Sequence, residues 1–187
     1  MRDDESWLFS QERARLLPEG TRERAVAEFA MRLRWHGLFD PCPRVLALCP
    51  PDGADVFRRF LAWADRAKPK MDWSLHLELL AWLSRDPTHH DALDEDMIIE
   101  LLAAAASKWA IYDRGPNKGI VLGCQRTPCT LVVGWKCLST ERGRTVTLAG
   151  TSEPATEDLE TLVGYFEVAG ASLDSLAPWL PFASSSD

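Results

Sequence analysis

The hydrophobic period of this chain changes once, near residue 109, and that change decides most of what it can fold into. Before it, apolar residues recur every three to four positions, as on one side of a helix. After it they gather in short runs rich in Val, Ile, Thr and aromatics, as in strands. Segregated helices and strands predict the α+β class: a helical N-terminal layer, a small antiparallel β-meander, and a C-terminal helix packed on it. The 187 residues read as a single domain, with the helical part over about 10–107, the meander over about 109–149, the closing helix over about 153–169 and an aromatic tail at 178–187. A chain of this length buries roughly 70% of the surface it exposes when unfolded, so its stability requires neither disulfides nor a metal.

Within the helical part, Thr21 is placed to cap a helix running towards Leu38, with Val26, Phe29, Ala30 and Leu33 as its buried stripe and Gly37 near its stop. Asp40-Pro41-Cys42-Pro43 breaks it, because proline removes a donor and restricts the residue before it. Arg44 to Cys49 reads equally as a buried strand or one helical turn. Asp52 is the expected cap of a second helix with the stripe Val56, Phe57, Phe60, Leu61 and Ala64. Asp72 is the expected cap of a third, Trp73 to Leu83, which is apolar nearly all round and should be central. The acids Asp91, Asp94, Glu95 and Asp96 suit the positive end of a fourth helix, carrying Met97, Ile98, Leu101, Leu102 and Ala105.

Strands are expected at Trp109–Tyr112, Gly119–Cys124, Thr130–Leu138 and Arg144–Leu148, separated by spacers of turn chemistry. Ser152-Glu153-Pro154 then restarts a helix, with Leu159, Leu162, Val163 and Phe166 inward and Gly170 as its stop.

No catalytic motif stands out. Cys124-x4-Cys129-x7-Cys137 offers three thiols, with His36, His76, His89 and His90 as further donors, but structural zinc takes paired ligands at tighter spacing. Buried thiols behave as small hydrophobes, so no metal and no cofactor are expected. The cysteines lie beside predicted hairpins, away from the helix N-terminus that would activate a thiol. The acids at 91–96 lack the glycine and glutamate of a calcium loop, and Arg114 to Gly119 lacks the order of a phosphate loop. No catalytic residue is assigned.

Charge limits the partners. Acids exceed bases by 28 to 21, for a net −7, which repels a phosphate backbone. The basic residues Arg13, Arg15, Arg22, Arg24, Arg32 and Arg34 are interleaved with Glu12, Glu19, Glu23 and Glu28, so nucleic-acid binding through the first helix ranks low. No stretch has the length of a membrane span, and the first residues lack a secretory pattern. Reduced thiols and a cytoplasmic location, or a host's cytosol for a pathogen protein, are expected.

Eight tryptophans against two tyrosines is the unusual count. Trp7 and Phe9, and Trp179, Leu180 and Phe182, sit in terminal segments with no obvious element to cover them. From residue 139 onward eight acids, Glu157, Asp158 and Glu160 among them, face two arginines. These features predict a non-enzymatic protein-binding module, of the immunity, pathogen-accessory or adaptor kind. It would hold another protein, one with a basic surface, or a second copy of itself through acids and aromatic anchors. The competing reading is a small hydrolase or transferase with a dispersed site drawn from Cys124, His89, His90 and Asp91.

Overall fold

Thr21 starts the first helix as its type suggests. Its backbone is extended and its hydroxyl accepts a hydrogen bond from the Arg24 N–H at 3.3 Å, taking up one of the donors a helix leaves over at its N-terminus. The computed structural model describes residues 16–51, 53–70, 72–112, 118–126, 129–139, 143–154, 163–168 and 180–181. They divide between Pro69 and Lys70 into two compact units.

The first unit holds α1 (Arg22–Phe39), a 3-10 turn (Pro43–Leu48) and α2 (Ala54–Ala67). The segment that read as strand or helical turn is thus the 3-10 turn, with Pro43 in its first turn, where the missing N–H costs nothing. The buried Cys42 thiol donates to the Leu38 carbonyl at 2.9 Å, and neither Cys42 nor Cys49 forms a disulfide. Asp52, the expected cap of α2, lies outside the described residues. The residue at the α2 N-terminus is Gly53, at φ 68°, where an added Cβ would lie 2.6 Å from Leu46 Cδ2. Left-handed backbone and close approach both demand glycine there. Val56, Phe57, Phe60, Leu61 and Ala64 are buried, as their spacing predicts. Phe57 meets Phe39 edge-on at 6.0 Å, joining α2 to α1.

The first helix departs from expectation. Ala27, Met31, Leu38 and Phe39 are its buried residues, while Val26, Phe29 and Leu33 are exposed.

In the second unit Asp72 builds a turn before α3 (Leu75–Leu83), its carboxylate accepting from the Ser74 N–H at 2.8 Å and the Ser74 hydroxyl at 2.7 Å. His76, Leu77, Leu79, Leu80, Ala81 and Leu83 are all buried, so α3 is a core helix. After a 3-10 turn (His90–Ala92), Asp94 accepts from the Met97 N–H at 2.8 Å and α4 runs Glu95–Tyr112. The strand expected at Trp109–Tyr112 is therefore the last turn of α4. Leu101, Leu102, Ala105 and Trp109 continue one buried helical series, and that burial outweighs the strand preference of Trp, Ile and Tyr.

The strands are β1 (Lys118–Arg126), β2 (Cys129–Ser139), β3 (Gly143–Pro154), β4 (Val163–Val168) and the two-residue β5 (Leu180–Pro181). Their order is β3-β2-β1-β4-β5, with every pair antiparallel. This corrects the expected architecture of helical layer, meander and closing helix. A meander places each strand beside the next, whereas β4 returns to the free side of β1, the 4-1-2-3 order of a Greek key. The closing helix over 153–169 is also overturned, since β3 runs to Pro154 and 163–168 is β4. Val163 and Phe166 fit a helical stripe by spacing, but Val163-Gly164-Tyr165 combines a β-branched residue, a poor helix former and an aromatic. Pairing Gly164 with Leu122 and Tyr165 with Val121 settles the choice.

Helix α4 packs across β1, β2 and β3, and α3 packs on α4 and β4. The crossing is tight at Gly123, where an added Cβ would lie 2.9 Å from Leu80 Cδ2 and 3.1 Å from Ile98 Cγ2. Trp73 stacks on Trp109 with ring centres 4.4 Å apart, and Tyr165 of β4 meets both rings edge-on. Among the described residues no helix is long and apolar enough to cross a membrane.

Candidate protein-docking face

Two apolar stripes share α1. At about 100° per residue, Ala27, Met31 and Leu38 cluster on one side, and Val26, Phe29 and Leu33 cluster about 140° round the helix from them. The first stripe is packed into the unit; the second is 45%, 61% and 55% exposed at its three residues. Ala30 and Gly37 extend the exposed stripe with small residues, and nothing lies within 4 Å of where a Gly37 Cβ would be. An isolated surface leucine needs no explanation, but three large apolar side chains in one helical row form a patch of the kind found at interfaces.

The edges of that row are basic. Arg22 lies near its midline, and Arg32 and Arg34 lie about 100° to either side; the acids of this face are Glu23, on the Arg34 flank, and Asp40 at the C-cap, which pairs with His36 at 3.1 Å. Arg24, on the far side, donates to Glu28 at 2.9 Å and lies 3.5 Å from Glu19, so that part of the expected basic cluster is neutralised locally. Burial lowers the half-buried Arg34 guanidinium to about 10, which leaves it cationic at neutral pH. Among the described residues Arg22 and Arg32 stand in no ion pair, so their donors face water.

His89, His90 and Asp91, considered for chemistry, lie together in the connection between α3 and α4. His89 and Asp86 approach to 3.8 Å, beyond hydrogen-bond length, and their side chains are only 8% and 5% exposed. A general base must reach a substrate proton, and this pair is shut inside the α3–α4 connection. His90 bonds the Asp86 carbonyl through Nδ1 and meets Asp91 through Nε2 at 3.0 Å. Asp94 caps α4, and Glu95 and Asp96 fill its first turn, where the helix dipole favours them. No group of three or more His, Cys, Asp or Glu able to hold a metal occurs among the described residues.

Backbone register places Cys124 opposite Leu131 and Cys129 opposite Arg126, two rungs apart in the β1–β2 hairpin. Cys137 lies eight residues beyond Cys129 on β2, roughly 26 Å at the rise of a strand, too far for one tetrahedral site.

Of the expected partner-binding residues, Trp7, Phe9, Glu157, Asp158, Glu160, Trp179 and Phe182 lie outside the described residues. Leu180 is in β5, where it pairs through its backbone with Tyr165. The α1 face was missed because its residues were assigned inward. The available signal was the second apolar row, Ala27, Met31 and Leu38, on the same helix. Glu78, on the half-buried edge of α3, was also missed; burial first, and then Asp72, push its carboxyl up to about 7.

No curated protein matches this chain. A family model described as "Methanobactin biosynthesis cassette protein MbnC-like" matches residues 15–183, and the chain belongs to that family.

Proposed function

We propose that this chain is a non-enzymatic, protein-binding component of methanobactin biosynthesis, holding another protein of the same cassette. The observation that carries the reading is the exposed apolar row Val26, Phe29 and Leu33 on a helix whose opposite side is anchored in the fold. A helix held on one face presents its other face rigidly, so little ordering entropy is lost on docking. Family membership supplies the setting, since a cassette protein acts beside co-encoded proteins. Of the roles considered from sequence, an adaptor suits such a setting.

The test is co-expression of the full tagged chain with each other protein of its cassette, followed by size-exclusion chromatography with light scattering. A complex of fixed stoichiometry with one of them is the expected result. The reading fails if every cassette protein elutes apart from it at micromolar concentration. It also fails if the purified chain alone turns over a cassette intermediate.

A further inference from the structure

The α1 row supports a statement about the kind of partner as well as its existence, one that rests on the docking reading above. We infer that the α1 face receives an amphipathic helix of another protein, with an apolar stripe edged by Asp and Glu. Three features support this choice. The row Val26, Phe29, Leu33 follows the i, i+3, i+7 spacing that meshes with the ridges of a second helix. Helix α1 has 18 residues, about 27 Å of axis, so it can seat a partner helix of several turns. Ala30 and Gly37 leave room beside Phe29 and Leu33 for a partner's large side chains.

The charge pattern chooses among occupants. Arg22 at the head of the row and Arg32 and Arg34 on its flanks outnumber Glu23 and Asp40, the latter already paired with His36, so the border is basic on a chain whose net charge is −7. Two copies meeting through this face would bring two basic borders together, which opposes self-association. Carboxylates on the incoming helix would instead meet Arg22 and Arg32, whose guanidinium groups have no ion partner among the described residues. Recognition then has two parts: the apolar row supplies affinity, and the arginines reject basic or neutral helices of the same shape.

The experiment uses the full chain and two synthetic 18-residue helical peptides with the same Leu stripe, one edged with Glu and one with Lys. Fluorescence anisotropy should show the Glu-edged peptide binding about tenfold more tightly than the Lys-edged one. Phe29→Glu should weaken it about thirtyfold, and R22E combined with R32E should reverse the preference. Phe29 is 61% exposed, so these variants should melt within a few degrees of wild type, and circular dichroism checks that they do.

Several results would overturn the inference. Equal binding of both peptides, or binding unaffected by Phe29→Glu, removes the site. Binding to phosphatidylserine vesicles, lost in Phe29→Glu, assigns the face to a membrane surface instead. A dimer in sedimentation that Phe29→Glu dissolves assigns it to a second copy. Recovery of binding only after residues 1–15 are deleted assigns it to the chain's own N-terminal segment. The two proposals fail separately. A cassette protein that co-purifies equally with wild type and Phe29→Glu leaves the function standing and the face wrong. Selective peptide binding with no cassette partner does the reverse.

Discussion

Gly53 and Gly123 show how single hydrogen atoms decide the packing in each unit. At Gly53 a methyl group would meet Leu46 Cδ2 at 2.6 Å from a left-handed backbone position, so strain and clash act together. Gly53→Ala should cost about 2–3 kcal/mol. At Gly123 the obstacle is three side chains, Leu80, Ile98 and Leu102, the last with Cδ1 at 3.6 Å, and these can shift by tenths of an ångström. Gly123→Ala should cost about 1–2 kcal/mol, and urea denaturation should rank Gly53→Ala as the more damaging. Equal stability of both variants with wild type would mean that neither close approach exists in solution. Glu78 makes a different prediction. Its carboxyl rises from 4.5 to about 7, through burial and then Asp72, against the pull of Arg85 and Lys70. Folding therefore takes up a proton between those values, and the folded state loses stability as pH rises through that window. Because the side chain is half-buried, solvent screening reduces the effect, and Glu78→Gln should gain roughly 1 kcal/mol at pH 8. At pH 4.5 the gain should vanish; an equal gain at both pH values would refute the assignment.

Among the elements, the sequence was most legible where one stripe had one destination. In α2 the row Val56, Phe57, Phe60, Leu61, Ala64 has no apolar competitor, and it is buried as read. In α3 residues on nearly every side are apolar, which leaves no choice but the core. Helix α1 carries two rows, and periodicity finds a row without saying which one meets the core. The row that is buried, Ala27, Met31 and Leu38, is the less conspicuous one. The β4 segment failed for a related reason, since its apolar spacing suits both a helix and a strand. The deciding contact, Val121 opposite Tyr165, joins residues far apart in sequence. Of the candidate site, sequence showed the arginines of α1 but not the apolar row between them as a surface. Local signals did better: Thr21 caps α1 as its residue type predicts. Thr21→Ala should cost about 1 kcal/mol, read as a drop in melting temperature, while Thr21→Ser should retain the cap. A loss of equal size in both variants would show that the hydroxyl bond to Arg24 contributes nothing.

For the molecule as a whole, charge and exposed apolar surface oppose each other. At pH 7 a net charge of −7 keeps copies apart, although each exposes Val26, Phe29 and Leu33 to water. That repulsion falls as the chain takes up protons and its net charge reaches zero near the isoelectric point of about 5.1. Arginine side chains are cationic throughout this range, so repulsion between two such borders persists while the net charge of the chain falls. Association near pH 5 should therefore join the apolar row and basic border of one copy to the acidic surface of another, giving open-ended clusters instead of a closed dimer. Static light scattering should rise steeply between pH 6 and pH 5 for wild type, and Phe29→Ser with Leu33→Ser should flatten that rise without moving the isoelectric point. If scattering near pH 5 is the same with and without those two side chains, the α1 row does not govern how this protein meets other surfaces.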